Sequence, residues 1–156
     1  MSRRNISKKY SIVPDPIYNS ILISMLITRI LKNGKKEMAQ KIIYKSLDII
    51  NNKTKKEPLL ILEKAILNIT PLIEVKIKRI GGSIYQVPIE VKAYRGINLA
   101  LRWIVIYAIQ RIGNNMIIKL ANEIIDTANG NSNSIRKKEQ THKIAEANKA
   151  FIHYRY

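Results

Sequence analysis

Two histidines, eleven carboxylates and no cysteine are all that this chain brings to acid–base, nucleophilic or metal chemistry. His142 and His153 stand eleven residues apart, with no second ligand at metal spacing beside either, so no metal site is expected. Gly81-Gly82-Ser83 is glycine-rich, but no GK[ST] follows it and no strand-to-helix step surrounds it, so it does not read as a phosphate loop. Glu74 and Glu90 have Lys76 and Lys92 close by in sequence, which favours structural pairing over acid–base work. Without cysteine there are no disulfides, zinc ribbons or thiol nucleophiles. No catalytic residue, cofactor or small-molecule substrate is expected.

What the chain has in quantity is positive charge. Twenty-eight lysines and arginines give a net charge of +17 and a pI near 10.2. Such a chain repels itself until a polyanion neutralises it, and neutralised phosphates release their counterions. Many of the cations fall in separate groups. They are an N-terminal set (Arg3, Arg4, Lys8, Lys9), the corner 32–36 with Lys35 and Lys36, and a central set (Lys76, Lys78, Arg79). Lys92, Arg95 and Arg102 form a fourth, and Arg136, Lys137, Lys138, Lys143, Lys149 and Arg155 a fifth. His142 lies within the last, where it could hydrogen-bond a phosphate or a base. Each group alone also reads as a solvated face. Together they suit a folded RNA, which is gripped by shape and backbone over a wide surface. A duplex-DNA reader presents one recognition helix and few other basic elements. A helical DNA-binding or nucleoid protein is the alternative; an enzyme acting on RNA is a third, for which no residue set speaks. No membrane partner is expected: the most apolar segment, 97–112, holds Arg102 and Arg111 and is too short to span a bilayer, and no signal peptide is read at the start.

These groups need elements to carry them. In 73–91, charged and apolar residues alternate on both sides of Gly81-Gly82-Ser83. A period of two with a glycine reversal predicts a β-hairpin with a three- or four-residue loop. Pro88 restricts its strand to an edge, and a lone two-stranded ribbon is marginal in water. Everything else reads as helix, over about 19–32, 36–51, 58–70, 96–112, 115–128 and from Ser134 to about 149. Apolar stripes at helical spacing mark the second, fourth and fifth. The third is apolar nearly all round and is expected to be buried; the sixth is poor in apolar residues and needs an external partner to stay in place. Trp103 is expected at the edge of the core. The fold class is therefore mainly α, a six-helix bundle with one protruding hairpin between helices 3 and 4. The whole of 1–156 is expected to be one domain, with a basic arm over 1–18 and a basic C-terminal helix and tail over 134–156.

Two long stretches carry a resemblance. They are IEVKIKRIGGSIYQVPIEV (73–91) and KKEQTHKIAEANKAFIHYRY (137–156), supported by MSRR at the start, NLALRW (98–103) and KLANEIIDTAN (119–129). These closely resemble the bacterial and organellar small-subunit ribosomal protein seven family, in register along the chain. The resemblance implies a protein that binds small-subunit rRNA in its 3′ major domain and nucleates assembly of the head. Its ribbon would lie near the exit-site tRNA and the mRNA, with Gly81, Gly82 and Ser83 as the reaching tip. Its neighbours would include small-subunit proteins nine and eleven. The resemblance places rRNA contacts on Arg3, Arg4, Lys35, Lys36, Lys76, Lys78, Arg79, Arg95, Arg102, Lys137, Lys138, His142, Lys143, Asn148, Lys149 and Arg155. Gly96 stands where many bacterial members carry a second arginine, which implies one phosphate contact fewer. Residues 51–58 fit the family poorly, and Tyr156 replaces a common tryptophan, a change that stacking tolerates. The isoleucine and asparagine bias and the MSRRN opening resemble plastid-encoded members, hence a ribosome in the chloroplast stroma; a bacterial cytoplasm is the alternative.

Overall fold

Isoleucine, leucine and alanine make nearly all of the interior, so the bundle is held by non-directional aliphatic burial. Each buried large aliphatic contributes about 1.5–3 kcal/mol. The computed structural model describes residues 12–155. Its elements in order are α1 (Ile21–Ile30), α2 (Lys36–Thr54), α3 (Pro58–Ile69), β1 (Ile73–Ile80), β2 (Ser83–Glu90), α4 (Ala93–Gln110), α5 (Met116–Ala128) and α6 (Asn133–Ala147), closed by a 3-10 segment (Lys149–Arg155). The mainly α architecture with one hairpin between the third and fourth helices agrees with the sequence reading. Helix α5 is the hub and packs on α2, α3 and α4. Leu120, Ala121 and Ile124 of α5 are fully buried, as are Leu62 and Ile69 of α3 and Leu101 and Ile104 of α4. Trp103 lies at the rim of this core, half-buried.

Three expectations need correction. Helix α3 is not buried all round: Leu60 and Leu67, seven residues apart on one flank, are 59% and 73% exposed. Five positions, Ile61, Leu62, Ala65, Ile66 and Ile69, already fill the inner face. Helix α4 begins at Ala93 rather than Gly96, so Gly96 is an internal, buried residue of the helix. Helix α6 has partners inside the chain. The Ser132 hydroxyl caps it by accepting the Ile135 N–H at 3.3 Å, and it packs on β1, α3 and α4. The described residues ahead of α1 pack on the bundle. Asp15 is buried and its carboxylate accepts from the Ile17 and Tyr18 N–H groups and, at 2.7 Å, from the Tyr44 hydroxyl on α2. Burial and this bond push the Tyr44 pKa up to about 12.

The hairpin pairs antiparallel from Ile73 opposite Glu90 to Ile80 opposite Ser83. The reversal is therefore two residues, not the three or four expected, and Ser83 belongs to the strand. Gly81 and Gly82 both have positive φ, 56° and 89°, which suits a tight turn matched to strand twist and favours glycine at both places. The register combines Glu74, Lys76 and Lys78 with Tyr85, Val87 and Ile89 on one face. The other face carries Val75, Ile77 and Arg79 with Ile84, Gln86 and Pro88. The first face is covered, and on the second Pro88 is buried near the base. Val87 is fully buried, whereas Ile77 and Ile84 are 72% and 70% exposed.

Candidate nucleic-acid interface

The ribbon is braced from below by the C-terminal segment. Tyr85 meets Phe151 at 5.2 Å and Tyr154 at 5.4 Å between ring centroids. Lys78 Nζ donates to the Tyr154 carbonyl at 2.9 Å, and the Asn148 amide donates to Gln86 Oε1 at 3.4 Å. At the base, the Leu72 N–H donates to His142 Nε2 at 3.2 Å. Lys138 Nζ donates to the Asn68 carbonyl at 2.8 Å. Arg95 Nε sits 2.8 Å from a Glu74 carboxylate oxygen. The ribbon thus gains from α4, α6 and the 3-10 segment the support that a two-stranded sheet lacks on its own.

These contacts sort the candidate residues into two groups. Lys78, Lys138, His142 and Asn148 direct polar atoms into the protein itself. Burial, reinforced by the Lys138 charge, lowers the His142 pKa, so this ring is neutral at physiological pH and acts as an acceptor. Lys76, Arg79, Arg102, Lys143 and Lys149 are exposed, as are Lys35 and Lys36 at the α1–α2 corner. That corner turns on Asn33 and Gly34, both at positive φ. Lys137 is half-buried and donates to Gln140 at 3.3 Å. Gly81, Gly82 and Ser83 are exposed at the tip. Arg3, Arg4, Lys8, Lys9 and Tyr156 lie outside the described residues, as does the side chain of Arg155.

One basic cluster comes from two distant parts of the chain. Arg95, Asn98, Leu99 and Arg102 share a face of α4, at helical spacing. Arg29, in the last turn of α1, joins them and donates through Nη2 to Asn98 Oδ1 at 2.6 Å. With Tyr94 these residues line an open groove of about 400 Å³ that has no carboxylate in its lining. Arg95 and Arg102 were expected here. Arg29, Tyr94 and Asn98 were missed, because the approach of α1 to α4 is a long-range contact that no local spacing encodes.

The other arginine contact of note is internal. Arg111, just after α4, pairs with Glu123 and Asp126 of α5, each at 2.5 Å. Glu123 is 1% exposed and also accepts from the Ser134 hydroxyl. A buried carboxylate persists only when paired and hydrogen-bonded, and here one oxygen takes the guanidinium and the other the hydroxyl. This network ties α4, α5 and α6 together and leaves Arg111 no role in an outer footprint. Among the described residues no cluster of His, Asp and Glu is placed to hold a metal ion, and no helix is long and apolar enough to cross a membrane.

The geometry is that of a binding body: an aliphatic bundle, cations on several sides, and a braced basic finger. Comparison with known proteins decides its kind, since the family model described as Ribosomal protein S7p/S5e matches residues 2–149. The chain belongs to this family. It is 56% identical over 156 residues to the small ribosomal subunit protein uS7c of Cyanophora paradoxa, covering all of both chains. It is 55% identical over the same length, again with full coverage, to the small ribosomal subunit protein uS7 of Acaryochloris marina (strain MBIC 11017). As an S7-family member it is a structural ribosomal protein and not an enzyme. The match runs from residue 2 into the C-terminal 3-10 segment, and so spans the ribbon and the helices that line the groove.

Proposed function

We propose that this chain is a structural constituent of the small ribosomal subunit that binds the 3′ major domain of its rRNA and nucleates assembly of the head. The observation that carries the reading is charge without counter-charge. With a net charge of +17, most lysines and arginines have no carboxylate to pair with, and Arg111 already claims two of the eleven. Exposed cations stand on the corner 32–36, the ribbon, α4 and the C-terminal segment, and further lysines on α2 and α3. A branched RNA junction offers phosphates at that many angles; a straight duplex does not. Lysines and arginines on separate rigid elements would hold several RNA helices at fixed angles, which is what nucleating an assembly requires.

The ribbon tip is the part proposed to approach the exit-site tRNA and the mRNA. Its support stops short of the turn: Tyr85 is the last residue held by the C-terminal rings, and Gly81 and Gly82 lie beyond. Small-subunit proteins nine and eleven are the proposed protein neighbours. The 56% match to a chloroplast-type uS7c and the 55% match to a cyanobacterial uS7 suit a plastid ribosome, with a bacterial one as the alternative.

The test is binding of the full chain to a transcript of the 3′ major domain across a salt series, with duplex DNA as competitor. Tight binding whose logarithm falls linearly with log salt, and which resists DNA at equal nucleotide concentration, is the expected result. Displacement by duplex DNA would overturn the reading and favour a DNA-binding protein. For the tip, Gly81 and Gly82 each replaced by alanine should leave rRNA affinity intact while lowering exit-site tRNA occupancy in reconstituted subunits. Loss of both together would remove the separate role of the tip.

A further inference from the structure

We infer that the groove between α1 and α4 is a single-nucleotide pocket for unpaired RNA, with Arg29 and Arg102 on a phosphate and Tyr94 stacked on its base. The inference rests on the rRNA-binding reading and deepens it by naming one site and what it takes. Three arginines line the groove; Arg95 is paired with Glu74, which leaves Arg29 and Arg102 without a carboxylate partner among the described residues and favours entry of an anion. Two are held by the protein in ways that leave donors over. Arg95 gives its Nε to Glu74, and its terminal nitrogens make no hydrogen bond among the described residues. Arg29 gives one Nη to Asn98. Asn98 is itself fixed, donating to the Tyr94 carbonyl at 2.8 Å; it is a positioning residue that aims the Arg29 guanidinium. Arg102 is exposed and makes no hydrogen bond or ion pair among the described residues. Forked guanidinium donors at fixed angles match phosphate oxygens.

Tyr94 supplies the second half. It is 64% exposed, and its ring meets no other ring among the described residues. By contrast, Tyr85, Phe151 and Tyr154 are half-buried and packed on one another. An unstacked tyrosine at the lip of a cationic groove is a platform for a base. At about 400 Å³ the groove sits near the lower limit for small-ligand sites, with room for one nucleotide and not for a helix. Single-stranded loops and bulges are where proteins take RNA bases apart from the stack.

Two exposed positions make the test independent of folding. With the 3′ major domain transcript as probe, Tyr94→Ala should weaken binding about tenfold without altering the salt slope, while Tyr94→Phe should match the parent. Arg102→Ala should reduce the salt slope by about one unit. Parent-like affinity for Tyr94→Ala, or an unchanged slope for Arg102→Ala, would overturn the pocket while leaving rRNA binding in place. A parent chain that does not bind the transcript would instead sink the reading on which the pocket rests.

Discussion

The Leu72 N–H donates to His142 Nε2 at 3.2 Å, so a histidine on α6 holds the residue that leads from α3 into the ribbon. The Leu72 carbonyl in turn accepts from the Val91 N–H at 2.9 Å, which closes the base of the hairpin. A ring that accepts at Nε2 must be neutral there, with its proton on Nδ1.

This fixes the sign of a pH effect. The folded pKa of His142 is lowered, by burial first and the Lys138 charge second, so the unfolded chain binds the proton more readily. The contribution to stability is fully present above the ordinary histidine range and is lost as pH falls from about 6.5 toward the lower folded value. Melting temperatures measured from pH 7.5 down to pH 5 should fall for the parent and fall less for His142→Gln. An equal decline in both proteins would show that the bond to Leu72 is not what titrates. Amide exchange at Leu72 should also speed up as the ring protonates.

Lys78 and Arg79 are neighbours in sequence and opposites in structure. Lys78 is half-buried on the braced face and donates to the Tyr154 carbonyl, whereas Arg79 is exposed on the far face. Arg79→Ala should flatten the salt slope of rRNA binding by about one unit. Lys78→Ala should change the slope less and instead loosen the 3-10 segment, read as faster amide exchange over 149–155. Reversal of the two results would move the RNA to the braced side of the ribbon.

The helices were legible because stripes at a period of 3.6 are local, and the ribbon because alternation and paired glycines are local. What escaped depends on residues far apart in the chain. Alternation within β1 and within β2 is clear, but only the pairing of Lys78 with Tyr85 decides which faces join. It puts a charged set from one strand beside an apolar set from the other, so neither face is wholly apolar. The loop length was misjudged because Ser83 resembles a turn residue while pairing with Ile80. The exposed flank of α3 escaped because composition alone cannot tell Leu67 from Ile66. The candidate cations were visible as types and numbers. That Lys78, Lys138 and His142 face inward, and that Arg29 joins Arg95 and Arg102, follows from packing.

Arg111 shows how a cation in a basic chain can be wholly structural. Its partner Glu123 is buried and would be left charged without it. Removing one member of a buried pair is more damaging than never having had the pair. Arg111→Ala should cost about 2–3 kcal/mol, somewhat below the figure for a fully buried pair because the guanidinium keeps part of its surface in water. Chemical denaturation would measure it. The double change Arg111→Met with Glu123→Leu should recover much of the loss, since two apolar side chains leave no charge stranded. A single-variant cost within a few tenths of a kcal/mol would mean that Glu123 finds solvent.

Gly96 offers the sharpest conflict between resemblance and packing. The resemblance treats it as a missing arginine and so as a lost phosphate contact. In the structure it is buried in α4, and a Cβ built there would come within 2.8 Å of the Thr70 Cγ2. Thr70 cannot simply turn away, because its hydroxyl donates to the Ile66 carbonyl at 2.7 Å. The Pro71 carbonyl and a Val91 methyl close the remaining space at 3.5 and 3.7 Å. A helix-interior alanine would ordinarily gain about 1 kcal/mol over glycine; here the clash outweighs that gain. Gly96→Ala should therefore lower the melting temperature, and Gly96→Arg should lower it further without raising rRNA affinity. If Gly96→Arg instead bound the transcript more tightly at unchanged stability, the close approach of α4 to the α3–β1 junction would have to open in solution, and the position would rejoin the phosphate-binding set.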